Sequence, residues 1–428
     1  MWLRGVVRRA AGAAAALGAA SLAPLASTAG GAGPDEDSSA ARRPGGPRLH
    51  LAATTAPAPA APARYASLAD MIEDVWPSLC KIQGAVGDRE LGGGSGFVVS
   101  EDGIVVSNAH VFSAMPQMGA REIRATFDDG RSFRVEQLAA DAEADIAIGR
   151  LVAPPGTRFR PLRVGRSNAL RRGDPVVVLG APLGGSLVPA VGVLGGSRYV
   201  ADDETMTRVL NSRADWSLLQ VDANMSSGSS GGPIVNSDGE VVAVSVMVQT
   251  GGIGTVGHLS YGVASDQAWP IVEALMRSGR VTRASIGMTI VLVDELQAER
   301  ERAETGFALL PPPHVGGGGS AGPADGAVAA DTYHTGLLVK QTVAGAPADA
   351  AGLREGDVVL EINGRKMQRK GDYFAALGPV FEKDKRLVCR IWRPSGRSGG
   401  GRVLDIAVKP GARSDQREQR RRLLFPMS

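Results

Sequence analysis

Six residues, Gly228-Ser229-Ser230-Gly231-Gly232-Pro233, separate two short stretches, Ser217–Asp222 and Pro233–Asn236. The glycines permit a tight backbone turn that residues with a β-carbon adopt only at a cost. The flanking stretches are rich in β-branched residues and read as strands. This segment therefore joins strand to strand and places Ser230 in the turn between them.

Serine is a poor nucleophile at neutral pH. It needs an adjacent base, and the base needs a carboxylate to hold its tautomer. Both residue types occur upstream. His110 ends Ser107-Asn108-Ala109-His110, and Asp145 opens the apolar run Ile146–Leu151. Asp141 and Glu143 are nearby rivals, but Asp145 borders the strand able to bury a carboxylate. Ser230 also fits the G-x-S-x-G elbow of α/β-hydrolases, which requires a helix after the serine and the acid and histidine downstream. Pro233 and the strand pattern behind it exclude that reading. His50, His258, His314 and His334 stand outside any such constellation.

Strand patterns recur at Gly96–Ser100, Ile104–Ser107, Glu122–Phe127, Ser132–Leu138 and Ile146–Leu151. They resume at Pro175–Gly180, Pro189–Leu194, Val241–Val248 and Leu259–Ala264. Asp102-Gly103, Asp129-Gly130 and Ser237-Asp238-Gly239-Glu240 sit between them as hairpin turns. Short strands at this spacing predict a mainly β barrel or sandwich. Helices are expected over Leu68–Val75 and from Asp266 to Arg277. Gly252-Ile253-Gly254-Thr255-Val256-Gly257 matches a dinucleotide fingerprint, but a strand follows where that site needs a helix. After Ser278-Gly279 the pattern restarts, with a short helix Ala348–Ala351, a strand Val358–Ile362 and an Asn363-Gly364 hairpin turn.

Taken together, Gly94–Val99, Ser107–Val111, Ala144–Ile148 and Gly228–Val235 resemble the strand, histidine, aspartate and nucleophile motifs of the HtrA/Deg family of serine proteases. Ser229 stands where that family usually has Asn. Gly345–Gly364 resembles a PDZ domain. The resemblance implies a chymotrypsin-like double β-barrel over 65–278 and one PDZ domain over 280–410. The catalytic residues it implies are His110, Asp145 and Ser230, with the backbone N–H groups of Gly228 and Ser230 as the oxyanion hole. Asn224 would replace the acid that selects basic side chains. With Ser260, Tyr261, Gly262, Val263 and Ala264 it would line a pocket for a medium-sized apolar residue. In the PDZ domain, Ser285, Ile286, Gly287 and Met288 would bind a peptide carboxylate beside a groove helix near Gly371–Leu377.

The formal charge of +3 is concentrated at the N-terminus. Residues 1–64 hold seven arginines and three acidic residues, which leaves the remainder near −1. That is not a nucleic-acid binder's distribution. Residues 1–34 lack acids and carry an Ala-rich run behind Arg4, Arg8 and Arg9. They read as a targeting peptide, for mitochondria ahead of plastid or periplasm. Residues 35–64 read as a disordered linker, 301–331 as a flexible insertion and 411–428 as a basic tail with at most weak membrane contact. The two cysteines, Cys80 and Cys389, fall in different domains, so no disulfide, metal or cofactor is expected.

The expected function is ATP-independent endopeptidase action on unfolded or damaged proteins. A proteolytically silent holdase or PDZ scaffold is the alternative. The partners implied are unfolded polypeptides, peptide C-termini and, by resemblance, two further copies in a homotrimer formed through the segment containing Tyr65.

Overall fold

The computed structural model describes residues 64–413 except 88, 203–215, 247–258, 295–296, 299, 301–308, 312–332 and 396–399. The expected targeting peptide, nearly all of the expected linker, the 252–257 glycine motif, most of the expected 301–331 insertion and the tail beyond 413 lie outside the described residues.

Helix α1 (Leu68–Val75) is started by Ser67, whose hydroxyl accepts the Asp70 N–H at 3.1 Å. The chain then lays down β1 (Leu79–Val86), β2 (Arg89–Val98), β3 (Ile104–Ser107), α2 (Ala109–Gln117), β4 (Glu122–Phe127), β5 (Ser132–Asp141) and β6 (Ile146–Val152). These six strands form a closed barrel in the order β1-β2-β3-β6-β5-β4, completed by antiparallel pairing of β1 with β4. Gly103 and Gly130 take positive φ, +86° and +84°, in the two turns the sequence predicts. Tyr65 does not stand free. It packs on the core, and its hydroxyl donates to Asp74 at 2.6 Å.

A short β7 (Arg163–Val164) leads to β8 (Pro175–Gly180), β9 (Val188–Tyr199), β10 (Ser217–Asp222), β11 (Pro233–Asn236), β12 (Glu240–Val246) and β13 (Leu259–Ala264). Their order is β11-β8-β9-β10-β13-β12, and β12 pairs back onto β11, closing a second six-stranded barrel. Helix α3 (Ser265–Ser278) packs on both barrels and stops at Gly279, φ +68°.

Several strands are apolar on both faces because each face meets a different core. Val176 and Val178 of β8 fill the second barrel, whereas Val177 and Leu179 join the core between the barrels. In the first barrel, Val105 points inward while Ile104 and Val106 join that shared core.

The third unit comprises β14 (Ala284–Ser285), β15 (Met288–Asp294), β16 (Thr335–Thr342), α4 (Pro347–Ala350), β17 (Val358–Ile362), β18 (Arg365–Lys366), α5 (Lys370–Leu377), β19 (Leu387–Ser395), β20 (Gly400–Val408) and β21 (Gly411–Ala412). A sheet β15-β16-β17-β19-β20 covers its own core of Ile286, Leu337, Val359, Ile362, Leu387 and Ile391. Asn363 and Gly364 both have positive φ, as a type I′ turn requires. The sequence separates this unit from the barrels at residue 279, and the unit, with a core of its own, also makes contacts with them. Val281 and Val380 pack into the core between the barrels, and the Gly371 N–H donates to Asp202 at 2.9 Å.

Candidate active site

Asp145 is the last residue of the four-residue turn joining β5 to β6. Its φ is +54°, a left-handed conformation uncommon outside glycine, though Asp is among the side chains that tolerate it best. The Asp145 carbonyl accepts the Asn108 amide at 2.9 Å and the Ala109 N–H at 3.2 Å. One carboxylate oxygen accepts the His110 main-chain N–H at 2.8 Å, and the other lies 2.6 Å from His110 Nδ1. Nδ1 is thereby held as the donor, which leaves Nε2 as the basic nitrogen. His110 sits in the first turn of α2, a helix that the sequence reading did not include. Its ring is half exposed, with 51% of the side chain accessible, while Asp145 is buried beneath it.

Asp141 and Glu143, the rival carboxylates, are engaged elsewhere. Asp141 is buried and accepts both terminal nitrogens of Arg283, at 3.1 and 2.5 Å. Glu143 lies 2.7 Å from Arg413 and 3.4 Å from Arg283.

The nucleophile loop is braced by main chain and by small hydroxyls. Ser95 N–H donates to the Ser230 carbonyl at 2.8 Å. The Ser95 hydroxyl donates to the Gly228 carbonyl at 2.7 Å and accepts the Ala181 N–H at 2.9 Å, so one side chain joins both barrels to the loop. Ser107 donates to the Ser95 carbonyl, and Ser245 to the Ser229 carbonyl, each at 2.6 Å. Gly231, at φ +88°, lies so close to Ser107 that an ideal β-carbon would stand 2.1 Å from its hydroxyl oxygen. That packing brings the Ser230 turn against Ser107 and Asn108, directly before His110. Ser230 is buried, with 4% of its surface exposed. Among the described residues its hydroxyl makes no hydrogen bond, and the N–H groups of Gly228 and Ser230 donate to no acceptor. Gly228 has φ +96°, and Ser229 packs against Gly180.

Ser95, Ser107 and Ser245 were not singled out from sequence. Their signal was a hydroxyl within an otherwise apolar buried strand, which demands a partner.

Of the residues expected to line the pocket, Asn224 is exposed and Tyr261 partly exposed. Ser260 is buried and donates to the Ala223 carbonyl at 2.6 Å. Gly262 is closely packed against Ile234. Val263 and Ala264 are corrected to core residues: their side chains fill the shared core and the second barrel and present no accessible wall.

In the third unit, Ser285, Ile286, Gly287 and Met288 lead into β15, an edge strand lying beside α5. The Ile286 and Gly287 carbonyls are held by the Ala348 and Val343 N–H groups, both at 2.8 Å, and Gly287 has φ +74°. The Gly287 N–H reaches the Ser285 hydroxyl at 3.3 Å. Met288, Ile290 and Leu292 pack against the core, so the edge between β15 and α5 is apolar.

Both thiols are sealed. Burial raises Cys389 to about 12 and pushes Cys80 well above its ordinary value, so neither can act as a nucleophile at neutral pH.

Residues 94–244 match the trypsin-like peptidase domain family, and 338–390 match the PDZ domain family. The bovine protein named "Serine protease HTRA2, mitochondrial" is 29% identical over 383 residues, spanning 85% of this chain and 72% of the relative. A "Probable periplasmic serine endoprotease DegP-like" of Chlamydia pneumoniae is 27% identical over 319 residues, 74% of this chain and 54% of the relative. Its counterpart in Halomonas elongata is 31% identical over 287 residues, 67% of this chain and 51% of the relative. The chain thus spans about half the length of these DegP-like relatives. Among solved structures, "HtrA-type protease AlgW with tripeptide" shares the fold at a TM-score of 0.58 and 18% identity, covering 81% of this chain and 97% of that one. Two closed six-stranded barrels, a trypsin-like peptidase match and a PDZ match lead to one conclusion: the chain joins a trypsin-like peptidase domain to a PDZ domain and is similar to the HtrA/Deg serine proteases.

Proposed function

We propose that this protein is an ATP-independent serine endopeptidase that cleaves unfolded or damaged polypeptides through His110, Asp145 and Ser230. The observation that carries the reading is the doubly bonded His110–Asp145 pair, with the Ser230 turn packed against the residues just before the histidine. Ser230 Oγ attacks the scissile carbonyl while His110 Nε2 takes its proton and later returns it to the leaving amine. Asp145 stabilises the imidazolium. The undirected N–H groups of Gly228 and Ser230 bind the developing oxyanion, a term worth about 100- to 1000-fold per donor.

Asn224 offers no counter-charge, which favours an apolar residue on the acyl side of the cut. The edge of β15 beside α5 takes a peptide C-terminus as an added strand. Mitochondrial residence fits the Arg-rich, acid-free N-terminal segment and the name of the bovine relative, and the periplasmic relatives make an exported bacterial setting the rival. Assembly is as a homotrimer.

The test is digestion of casein by the purified protein, with a serine-reactive phosphonate as inhibitor and Ser230→Ala as control. Expected are cleavage after small or medium aliphatic residues, full inhibition, and a loss of about a million-fold in the variant. A folded protein that suppresses aggregation, reacts with no phosphonate and cuts nothing would establish the holdase reading instead.

A further inference from the structure

We propose that Arg283 and Arg413, supplied by the PDZ domain, are positioning residues for the catalytic acid. The inference rests on the triad reading above.

The turn from Asp141 to Asp145 is held from two sides. On the inner side, Asn108, Ala109 and His110 bond the Asp145 carbonyl and carboxylate. The outer side belongs to the PDZ domain. Arg283 grips Asp141 through both terminal nitrogens and reaches Glu143 with Nε, and Arg413 takes Glu143 as well. Asp141 also accepts the Ala144 N–H at 3.2 Å, so its carboxylate links the guanidinium to the residue before Asp145. The Arg283 side chain is only 7% exposed, so solvent screens this contact little.

The two arginines form one device. Arg283 precedes β14, Arg413 follows β21, and the Arg413 N–H donates to the Arg283 carbonyl at 2.8 Å beside the β14–β21 ladder. The first and last strands of the PDZ domain therefore present both cations to the same turn. The left-handed Asp145 backbone is a conformation that persists only where its surroundings over-determine it. The outer grip supplies that second constraint. Without it the turn relaxes and the carboxylate leaves the His110 ring. A misplacement of about 1 Å is enough for a 100-fold loss in turnover.

The experiment compares the full-length protein with Arg283→Gln, Arg283→Lys and Arg413→Gln. Turnover of a short peptide is measured per phosphonate-titrated active site, so unfolded molecules are not counted. Proton NMR follows the far-downfield resonance of a His110 Nδ1–H bonded to Asp145. For Arg283→Gln the expected result is a kcat lower by roughly 100-fold, a nearly unchanged KM and loss of the downfield signal. Arg283→Lys keeps the charge but not the bidentate fork and recovers part of both readouts. Arg413→Gln shows a smaller loss in the same direction, and as the more exposed site it serves if Arg283→Gln does not fold. Wild-type kcat per titrated site with the signal retained in the folded variants would overturn the proposal. Should the wild type neither label nor cleave, the proteolytic reading fails, and the NMR comparison still decides whether the arginines position Asp145.

Discussion

Asp145 holds His110 by two bonds to two different parts of the residue, the main-chain N–H at 2.8 Å and the ring Nδ1 at 2.6 Å. One bond fixes where the helix begins and the other fixes which way the ring faces. Asp145→Asn separates these roles. Asn tolerates the left-handed backbone as well as Asp, and its amide oxygen still accepts the main-chain N–H. Its NH₂ group, however, faces the Nδ1 donor and favours the wrong tautomer. Peptide turnover is expected to fall about 10,000-fold with the thermal midpoint nearly unchanged. A large loss of stability would show that the carboxylate serves the fold instead.

Removing residues 280–428 takes away both arginines that grip the 141–145 turn. From sequence alone the barrels read as a separate unit whose chemistry should survive this truncation. The contacts predict a different outcome. The truncated barrels fold, because Asp141 regains water when the domain leaves, but they cut a short peptide roughly 100-fold more slowly. Equal kcat values for truncated and full-length protein would restore the independence of the two parts.

Gly231→Ala places a methyl group where Ser107 Oγ and the Ser95 carbonyl already lie, at 2.1 and 2.4 Å from the ideal β-carbon. Overpacking and the positive φ together are expected to cost about 3 kcal/mol in urea unfolding, with turnover reduced as the loop shifts. Gly156→Ala is the internal control. Its φ is +85°, but nothing lies within 4 Å of the added carbon, so only the backbone cost of about 1–2 kcal/mol should appear.

Burial raises both thiols above their ordinary range, Cys389 to about 12. A raised thiol pKa means that the folded protein keeps its proton where the unfolded chain loses it. Iodoacetamide labelling of the native protein should therefore be negligible and nearly flat from pH 7 to about 9, whereas the unfolded chain labels faster as pH rises through its ordinary thiol range. Mass spectrometry of both states checks this.

The proposed triad residues stand in short local motifs, each beside a strand whose apolar run is complete in sequence. Ile104–Ser107, Pro175–Gly180 and Pro233–Asn236 form as expected to the residue. β1 was not anticipated, since Lys81 and Gln83 interrupt a segment packed on both sides. The first half of β2 was not anticipated either, and Gly93 is needed there because a β-carbon would meet the Ile82 carbonyl at 2.1 Å. Arg283 gave no signal at all. It lies 142 residues from Asp141 in the chain, and nothing local distinguishes an arginine that will be buried on a distant turn.

The strands with two apolar faces leave the folding chain an ambiguity. On β8, sliding by one residue would exchange Val176 and Val178 for Val177 and Leu179, and each core would still receive aliphatic side chains. Greasy surface cannot tell the correct alignment from its neighbour. The discriminating contacts are directional ones at the strand ends, above all Ser95 meeting the Ala181 N–H and the Gly228 carbonyl. Selection on that hydroxyl is therefore selection for reading frame in three dimensions as much as for chemistry. Its loss would surface as mis-threaded, insoluble protein during synthesis and would leave little impaired enzyme to assay.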